Sequence, residues 1–256
     1  MAFVDIDGVS LETLLIPGDA TKPWLVFLHE GLGSISLWRD FPEKLARRLG
    51  SRALIYSRRG YGKSDPLPGP RDVRFMHDEA LQVLPKLLAH YSIERPILIG
   101  HSDGASIALI YAVSAPDTVA ATVLMAPHVL VEAISQQSIA RIAEAYETTD
   151  LRARLARHHA HVDDAFLGWS RIWLDPRFRL WTLAPECARL SVPTMLIQGE
   201  DDEYGTLAQL DAIAELAPRP LQRLVLSKCG HAPYRDQEAR TLDAITGFAE
   251  GLAALV

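Results

Sequence analysis

The stretch Ile97–Ala105, which reads ILIGHSDGA, decides the fold of this chain of 256 residues. A short apolar run leads into a Gly-x-Ser-x-Gly pattern, and an apolar segment with helical spacing follows it. A serine in this context lies on a sharp turn between a strand and a helix, and the flanking glycines leave room for the crowded backbone. The stretch therefore predicts a nucleophilic Ser102 at the carboxyl end of a strand. A tight turn with a capping serine is the alternative.

Short apolar runs recur along the chain and alternate with longer segments of helical spacing. The runs predicted as strands are Phe3–Ile6 and Leu11–Ile16, which read as a leading hairpin, and Trp24–His29, Ala53–Tyr56, Ile97–Gly100, Ala121–Met125, Thr194–Ile197 and Leu224–Leu226. The predicted helices are Leu37–Leu49, Arg74–His90, Ser106–Val113, Leu207–Leu216 and Leu242–Leu252. Strands covered on both faces show such continuous apolar runs. The pattern predicts an α/β fold with a mainly parallel, eight-stranded sheet and helices on both faces.

The alternation stops between about residues 128 and 190, where no strand is predicted. This region is polar and helical over Glu132–Glu147 and Asp150–His159. Its second half is rich in tryptophan, with Trp169, Trp173 and Trp181. We expect residues 129–190 to form a helical cap inserted in a single domain, whose core comprises residues 1–128 and 191–256. An ordinary extra layer of helices is the alternative.

Two loops after later predicted strands supply partners for the serine. One contains the acids Glu200, Asp201 and Asp202, and the other ends in His231. Both loops follow carboxyl ends of parallel strands, where the binding edge of such a sheet lies, so they are expected beside Ser102. A serine hydroxyl is a weak nucleophile that needs a base held by a third group. The order Ser, Asp, His predicts His231 as the general base and leaves the three acids open.

These motifs resemble the α/β-hydrolase family, and the resemblance covers nearly the whole chain. In that family the acid typically lies three residues after the glycine of a Gly-x-x-Asp turn, which implies Asp202 as the acid and Asp201 as the second choice. The loop after an early strand gives one oxyanion N–H and the residue after the nucleophile gives the other, which implies Gly31 and Asp103. The family often has glycine where this chain has Glu30, so Glu30 is the alternative to Gly31.

Within the family, the Ser-Asp-Gly sequence at 102–104 resembles the biphenyl-hydrolase-like and valacyclovir-hydrolase subgroup. There an acid also follows the nucleophile and is implicated in holding a substrate amino group. The resemblance implies that Asp103, together with Glu30, binds a cationic or amino-bearing ester. The alternative is that Asp103 contributes only its N–H and that its carboxylate pairs with an internal arginine. Trp169 and Trp173 suggest that the substrate pocket takes a small apolar or aromatic acyl group.

The expected activity is the cleavage of a small carboxylic ester through an acyl-enzyme. Thioesterases, lactonases, acyltransferases and the carbon–carbon bond hydrolases of aromatic degradation can use the same residues, because function depends on the pocket rather than on the fold. A ligand receptor that kept the fold with a silent triad is the alternative from another class. Labelling by a fluorophosphonate probe distinguishes a hydrolase from such a receptor.

The charge and the apolar pattern of the chain argue against several classes of partner. Acidic residues outnumber basic ones by 32 to 26, the net charge is −6, and there is no basic stripe, so no nucleic-acid partner is expected. The most apolar stretch, Ala105–Val113, is shorter than the ~20 residues of a membrane span. The opening residues lack the basic and apolar regions of a secretory signal. We expect a cytoplasmic protein with a small-molecule substrate and no membrane association, and a homodimer is compatible with the sequence.

No cofactor and no metal is expected. Residues 31–36 follow a predicted strand and half match a dinucleotide-binding pattern, but the third small position is Ser36 and no acid ends the next strand. His158, His159 and His161 lie close together without a thiol or carboxylate at recognised ligand spacing. We interpret these histidines as an exposed helix end, with a metal site as the alternative.

Overall fold

A computed structural model describes residues 1–253 of the chain and confirms the predicted eight-stranded sheet. The strands are β1 (Ala2–Ile6), β2 (Val9–Ile16), β3 (Leu25–Leu28), β4 (Ala53–Tyr56), β5 (Ile97–His101), β6 (Ala121–Met125), β7 (Thr194–Gly199) and β8 (Gln222–Leu226). Their order in the sheet is β1-β2-β4-β3-β5-β6-β7-β8. The strand β2 runs antiparallel to β1 and β4, and the neighbouring pairs from β4 to β8 are parallel.

The central position of β5 places the predicted nucleophile in the middle of the sheet. This strand pairs with β3 on one side, where Leu28 aligns with Gly100, and with β6 on the other, where Met125 aligns with His101. Every residue of β3, β4, β5 and β6 is buried, which agrees with their continuous apolar sequence. The loops after β3, β5, β6, β7 and β8 therefore meet at one edge of the sheet.

Helices cover both faces of the sheet, as predicted. They are α1 (Phe41–Leu49), α2 (Phe75–Asp78), α3 (Leu84–His90), α4 (Asp103–Ser114), α5 (Ala133–Thr148), α6 (Leu151–Leu155), α7 (Val162–Leu174), α8 (Ala184–Cys187), α9 (Ala208–Leu216), α10 (Pro233–Asp236) and α11 (Glu238–Ala253). Successive strand residues point to opposite faces. Leu25 and Phe27 pack with α1 and α11, whereas Val26 and Leu28 pack with α3 and α4.

Two helix boundaries differ from the predictions for local reasons. The segment predicted as Leu37–Leu49 divides into a short 3-10 turn and α1, because Arg39 has a left-handed φ of 55° that interrupts the helix. The segment predicted as Arg74–His90 contains a wide π turn over Glu79–Val83 just before Pro85. Proline lacks an N–H and crowds the preceding turn, and a wider turn accommodates both effects.

The segment between β6 and β7 contains the four helices α5 to α8. Its tryptophan-rich half contains α7, which carries Trp169 and Trp173, and then a 3-10 turn and α8. The helix α6 ends at Leu155 rather than at His159. The division into a core and a cap of residues 129–190 stays a prediction. Over residues 1–253, no helix is both long enough and apolar enough to cross a membrane.

Candidate active site

Ser102 lies on the turn that connects β5 to α4, in a backbone conformation that serine rarely adopts. Its φ is 54° and its ψ is −121°, a strained geometry of the kind that costs ~1–3 kcal/mol and concentrates at functional sites. The Ser102 N–H donates to the carbonyl of Met125 at 2.9 Å, which ties the turn to β6. Two glycines make room for it: a Cβ at Gly100 would collide with the first turn of α4, and one at Gly104 would collide with the Leu28 carbonyl.

Asp202 is the acid of its loop that contacts the imidazole ring of His231. Its two carboxylate oxygens lie 2.8 and 2.9 Å from His231 Nδ1. The backbone N–H groups of Tyr204 and Gly205 also donate to Asp202 Oδ1, at 2.8 and 3.2 Å. The neighbouring Asp201 is exposed, whereas Asp202 is buried. The geometry thus singles out one of the acids that the residues alone left open.

The electrostatics of this pair favour an ionised Asp202 and a basic His231. Burial alone would raise the pKa of Asp202, but the charge and the hydrogen bond of His231 hold it below its ordinary value. Burial alone would lower the pKa of His231, but the Asp202 carboxylate raises it above its ordinary value. Because Nδ1 donates to Asp202, the other ring nitrogen of His231 is left to accept a proton.

Ser102 and His231 line the same cavity, which has a volume of about 200 Å³. Within residues 1–253 the Ser102 hydroxyl has no hydrogen-bond partner, so it is not yet bonded to the imidazole. In unliganded enzymes such hydrogen bonds are often long and shorten only when the substrate binds. The sequence prediction that Ser102, Asp202 and His231 converge at one edge of the sheet agrees with this arrangement, and their catalytic roles stay a prediction.

The two backbone N–H groups implied as oxyanion donors lack a partner in the part of the chain that the structure describes. They belong to Gly31, after β3, and to Asp103, the first residue of α4, whose helix N-terminus favours negative charge. The N–H of Glu30 also lacks a partner, so the choice between Glu30 and Gly31 stays open. The indole of Trp169 lies directly against Gly31, where a Cβ would collide with it.

The two carboxylates predicted to bind substrate differ in accessibility. Asp103 Oδ1 accepts from Trp173 Nε1 at 3.2 Å, and its Oδ2 is enclosed without a partner among the described residues. Burial outweighs the nearby arginines and raises the pKa of Asp103. Glu30 lines the cavity with its side chain 19% exposed, and although burial alone would raise its pKa, the contact with His101 holds it below the ordinary value. Glu30 is therefore the carboxylate of the two that a ligand can reach.

Several cavity residues were not predicted from the sequence. His128 follows β6, Glu203 and Tyr204 follow β7, and Tyr234 follows β8, so the rule that places sites at carboxyl ends of strands could have indicated them. His128 packs against Trp173 with ring centroids 4.9 Å apart, and burial lowers its pKa to about 3. It is therefore a neutral imidazole in the working pH range. The predicted Trp169 and Trp173 also line the cavity.

His159 is buried, with 2% of its surface exposed, so the prediction of an exposed helix end is wrong for this residue. Its Nδ1 accepts from the N–H of Gly62 at 3.0 Å, and its Nε2 donates to the carbonyl of Leu32 at 3.1 Å. These bonds hold the segment after α6 against the loops that contain Leu32 and Gly62, and they fix one neutral tautomer. No cluster of three or more His, Cys, Asp or Glu side chains that could hold a metal occurs among residues 1–253.

The protein is expected to lose stability in mild acid, in part through His159. Burial lowers the pKa of His159 from 6.5 to about 4, so between these values the unfolded chain binds more protons than the folded one. The contribution of His159 to the free energy of unfolding is therefore complete above pH 6.5 and declines as the pH falls toward 4. At pH 5 the loss amounts to about 2 kcal/mol of unfolding free energy.

Urea unfolding of the wild type and of His159→Gln at pH 7 and pH 5 measures this loss. A glutamine amide can accept from Gly62 and donate to Leu32 as the neutral ring does, but it does not titrate. The wild type should lose about 2 kcal/mol more than the variant between the two pH values. Equal losses in both proteins would show that His159 does not carry the effect.

Comparisons with known proteins place the chain among relatives of one fold. A sequence profile of the alpha/beta hydrolase fold family matches residues 23–186. The mouse (Mus musculus) protein sn-1-specific diacylglycerol lipase ABHD11 is 23% identical over 274 residues, which cover 95% of this chain and 86% of the mouse protein.

Solved structures are similar over the whole described fold. A structure from Nitrososphaera gargenis, published with the activity profiles of carboxylesterases, superposes with a TM-score of 0.81 and 21% identity and covers 100% of both chains. The enol-lactonase from Burkholderia xenovorans LB400 superposes with a TM-score of 0.74 and 20% identity and covers 96% of this chain and 99% of its own. At identities of 21% and 20%, these similarities show the fold alone.

Proposed function

The chain belongs to the alpha/beta hydrolase fold family, and from this premise we propose that it is a serine hydrolase that cleaves a small carboxylic ester. One observation carries the proposal. His231 Nδ1 lies 2.8 Å from the buried Asp202 carboxylate, in the cavity where the strained turn presents Ser102. An acid, an imidazole and a hydroxyl from three separate strand ends supply the three groups that nucleophilic catalysis uses.

In the proposed reaction, Ser102 Oγ attacks the ester carbonyl carbon while His231 takes the hydroxyl proton. The negative oxygen of the tetrahedral intermediate accepts hydrogen bonds from the N–H groups of Gly31 and Asp103, and removing one such donor typically costs ~3 kcal/mol. The imidazolium of His231 then protonates the leaving alcohol as the carbon–oxygen bond breaks. Water, deprotonated by His231, then attacks the acyl carbon. The bond from this carbon to Ser102 Oγ breaks, the imidazolium returns the proton to Oγ, and the acid product leaves. Asp202 stays ionised throughout and stabilises the imidazolium.

The cavity supports a substrate with a short acyl group. Its volume of about 200 Å³ lies below the ~300 Å³ at which drug-sized ligand pockets begin. Trp169, Trp173 and Ile139 supply apolar wall, and the bond from Trp173 to Asp103 holds one indole in place. We assign Asp103 to this support and to its backbone N–H, and we assign Glu30 to contact with a polar or cationic group of the substrate.

Among p-nitrophenyl esters, the acetyl and butyryl esters are expected to be hydrolysed faster than the octanoyl and lauroyl esters. A rigid pocket discriminates by roughly tenfold or more for methylenes that it cannot accommodate, so kcat/KM should fall by at least that factor from butyryl to lauroyl. Steady-state kinetics with the purified chain measure the series. Ile139→Ala, which shortens one wall, should move the optimum toward longer chains.

Two results would contradict this proposal. Equal kcat/KM for butyryl and lauroyl esters would show that the described cavity does not bind the acyl group. An absence of turnover for every ester, together with an absence of fluorophosphonate labelling, would favour a ligand receptor that kept the fold. The same panel includes a matching thioester and a lactone. Their kcat/KM values, compared with that of the ester, show which of these reactions the residues perform best.

A further inference from the structure

The backbone of His231 is held on both sides of the residue, in addition to the contact of its ring with Asp202. Its N–H donates to Glu203 Oε2 at 3.2 Å. Its carbonyl accepts from His101 Nε2 at 2.7 Å, the shorter of the two contacts. Main-chain contacts on both sides of a loop residue fix the point and the direction from which its side chain projects.

His101, the residue just before Ser102, is well placed to act as a rigid donor. It is 2% exposed and belongs to the central strand β5. The rings of Trp38 and Tyr234 pack against it edge-on, with centroids 6.2 and 5.2 Å away. The imidazole therefore has a fixed position between the nucleophile strand and the loop of His231.

The other ring nitrogen of His101 faces Glu30. Its Nδ1 lies 3.4 Å from Glu30 Oε2. A carbonyl and an ionised carboxylate can only accept hydrogen bonds, so both contacts of His101 are made together when the ring has a proton on each nitrogen. Glu30 thus contacts His101 on the side of the ring that faces away from the His231 carbonyl, where it can orient the ring.

Glu30 is itself anchored in the oxyanion loop. Its carbonyl accepts from His29 Nδ1 at 2.7 Å, from the N–H of Gly33 at 3.0 Å and from Arg58 Nη2 at 3.1 Å. Its carboxylate lies over Gly33, where a Cβ would collide with it. The side chains of Glu30 and His101 therefore form a continuous link from the oxyanion loop to the main chain of the proposed base.

We propose that His101 and Glu30 are positioning residues, with Glu30 orienting His101 and His101 holding the main chain of His231 so that its imidazole faces Ser102. This inference rests on the proposed function and extends it to two residues that lie outside the triad. If Glu30 only contacted the substrate, its effect on the rate would not depend on His101. In this proposal the effect of Glu30 on the rate depends on His101. Misplacement of a reacting group by about 1 Å can cost ~100-fold in rate.

The kinetic test uses variants that remove or restore the two contacts. His101→Phe keeps a planar ring but removes both hydrogen bonds, and kcat should fall by roughly 10- to 100-fold with KM changed by less than about threefold. His101→Gln can still donate to the His231 carbonyl and should recover most of the rate. His90→Phe, at an exposed position at the end of α3 and outside the residues that line the cavity, is the matched control for the substitution itself.

A double-mutant cycle shows whether Glu30 and His101 act together on His231 or affect the rate independently. Glu30→Ala should lower kcat in the wild-type background but have little further effect in the His101→Phe background, because its action passes through His101. Additive losses would overturn the proposal, as would a Glu30→Ala effect confined to the KM of cationic esters, which would mark a substrate contact alone.

A spectroscopic readout keeps the test independent of turnover. The Nδ1 proton of His231, shared with Asp202, should give a low-field proton resonance in NMR spectra of the wild type. This resonance should broaden or vanish in His101→Phe and persist in His101→Gln, while thermal unfolding confirms that the variants are folded. If the spectra follow this pattern and no ester is hydrolysed, the positioning link stands and the proposed function fails. An unchanged resonance in His101→Phe would overturn the link.

Discussion

Replacement of Ser102 by Ala is expected to lower kcat for ester hydrolysis by roughly 10⁶-fold, the scale seen when a serine hydrolase loses its nucleophile. The cavity also contains the hydroxyl of Ser135, but this hydroxyl donates to the carbonyl of Tyr204 and does not lie on the strained turn. Neither Cys187 nor Cys229 is among the residues that line the cavity. Alanine keeps a Cβ on the strained turn, so the fold should persist. Steady-state rates with the best ester of the panel, corrected for traces of wild type, measure the loss.

The matched control is Ser114→Ala, at the exposed end of the same helix α4. This variant removes a hydroxyl that donates only to the carbonyl of Ile110 and should keep the wild-type rate. If Ser102→Ala hydrolysed the ester as fast as Ser114→Ala, the nucleophile would have to be another residue.

Asp202→Asn is expected to lower kcat by about 10⁴-fold without unfolding the chain. The asparagine Oδ1 can still accept from the N–H groups of Tyr204 and Gly205. Its amide nitrogen, however, cannot accept from His231 Nδ1, so the ring would favour the wrong tautomer and the imidazolium would lose its counter-charge. Rates and thermal unfolding of the purified variant measure the two effects separately.

Asp201→Asn gives the comparison that the sequence itself suggests. Asp201 precedes Asp202 and is exposed, so its loss should change kcat by less than about twofold. A larger loss from Asp201→Asn than from Asp202→Asn would reverse the assignment of the acid.

The elements that could be predicted from the sequence are those with local causes. The strands β4 and β6 match the predicted Ala53–Tyr56 and Ala121–Met125, because a strand covered on both faces must be apolar along its whole length. The turn at Ser102 could be predicted because it needs glycine at positions 100 and 104, and both glycines lie within two residues of the serine.

The features that could not be predicted depend on contacts between distant segments. Glu200, Asp201 and Asp202 have the same chemistry and adjoin one another, and only the fold decides which one is buried against His231. The bonds of His159 join residues 97 and 127 positions apart, so its burial has no local signal.

The same reason applies to the link between the oxyanion loop and the base. Its contacts join Glu30 to His101 across 71 positions and His101 to His231 across 130 positions. The unusual acid at position 30 was visible in the sequence as a departure from the family pattern. Its partner His101 ends β5, which lies beside β3 only in the folded sheet, so this contact has no local signal.

Reaction with a fluorophosphonate probe, followed by mass spectrometry of the digested protein, tests the identity and activation of the nucleophile most directly. One covalent adduct is expected in the wild type at neutral pH, on the peptide that contains Ser102. It should be absent from Ser102→Ala and form far more slowly in Asp202→Asn and His231→Gln. A wild type that stays unlabelled, or an adduct that persists in Ser102→Ala, would contradict the assignment of Ser102 as a hydroxyl activated by His231 and Asp202.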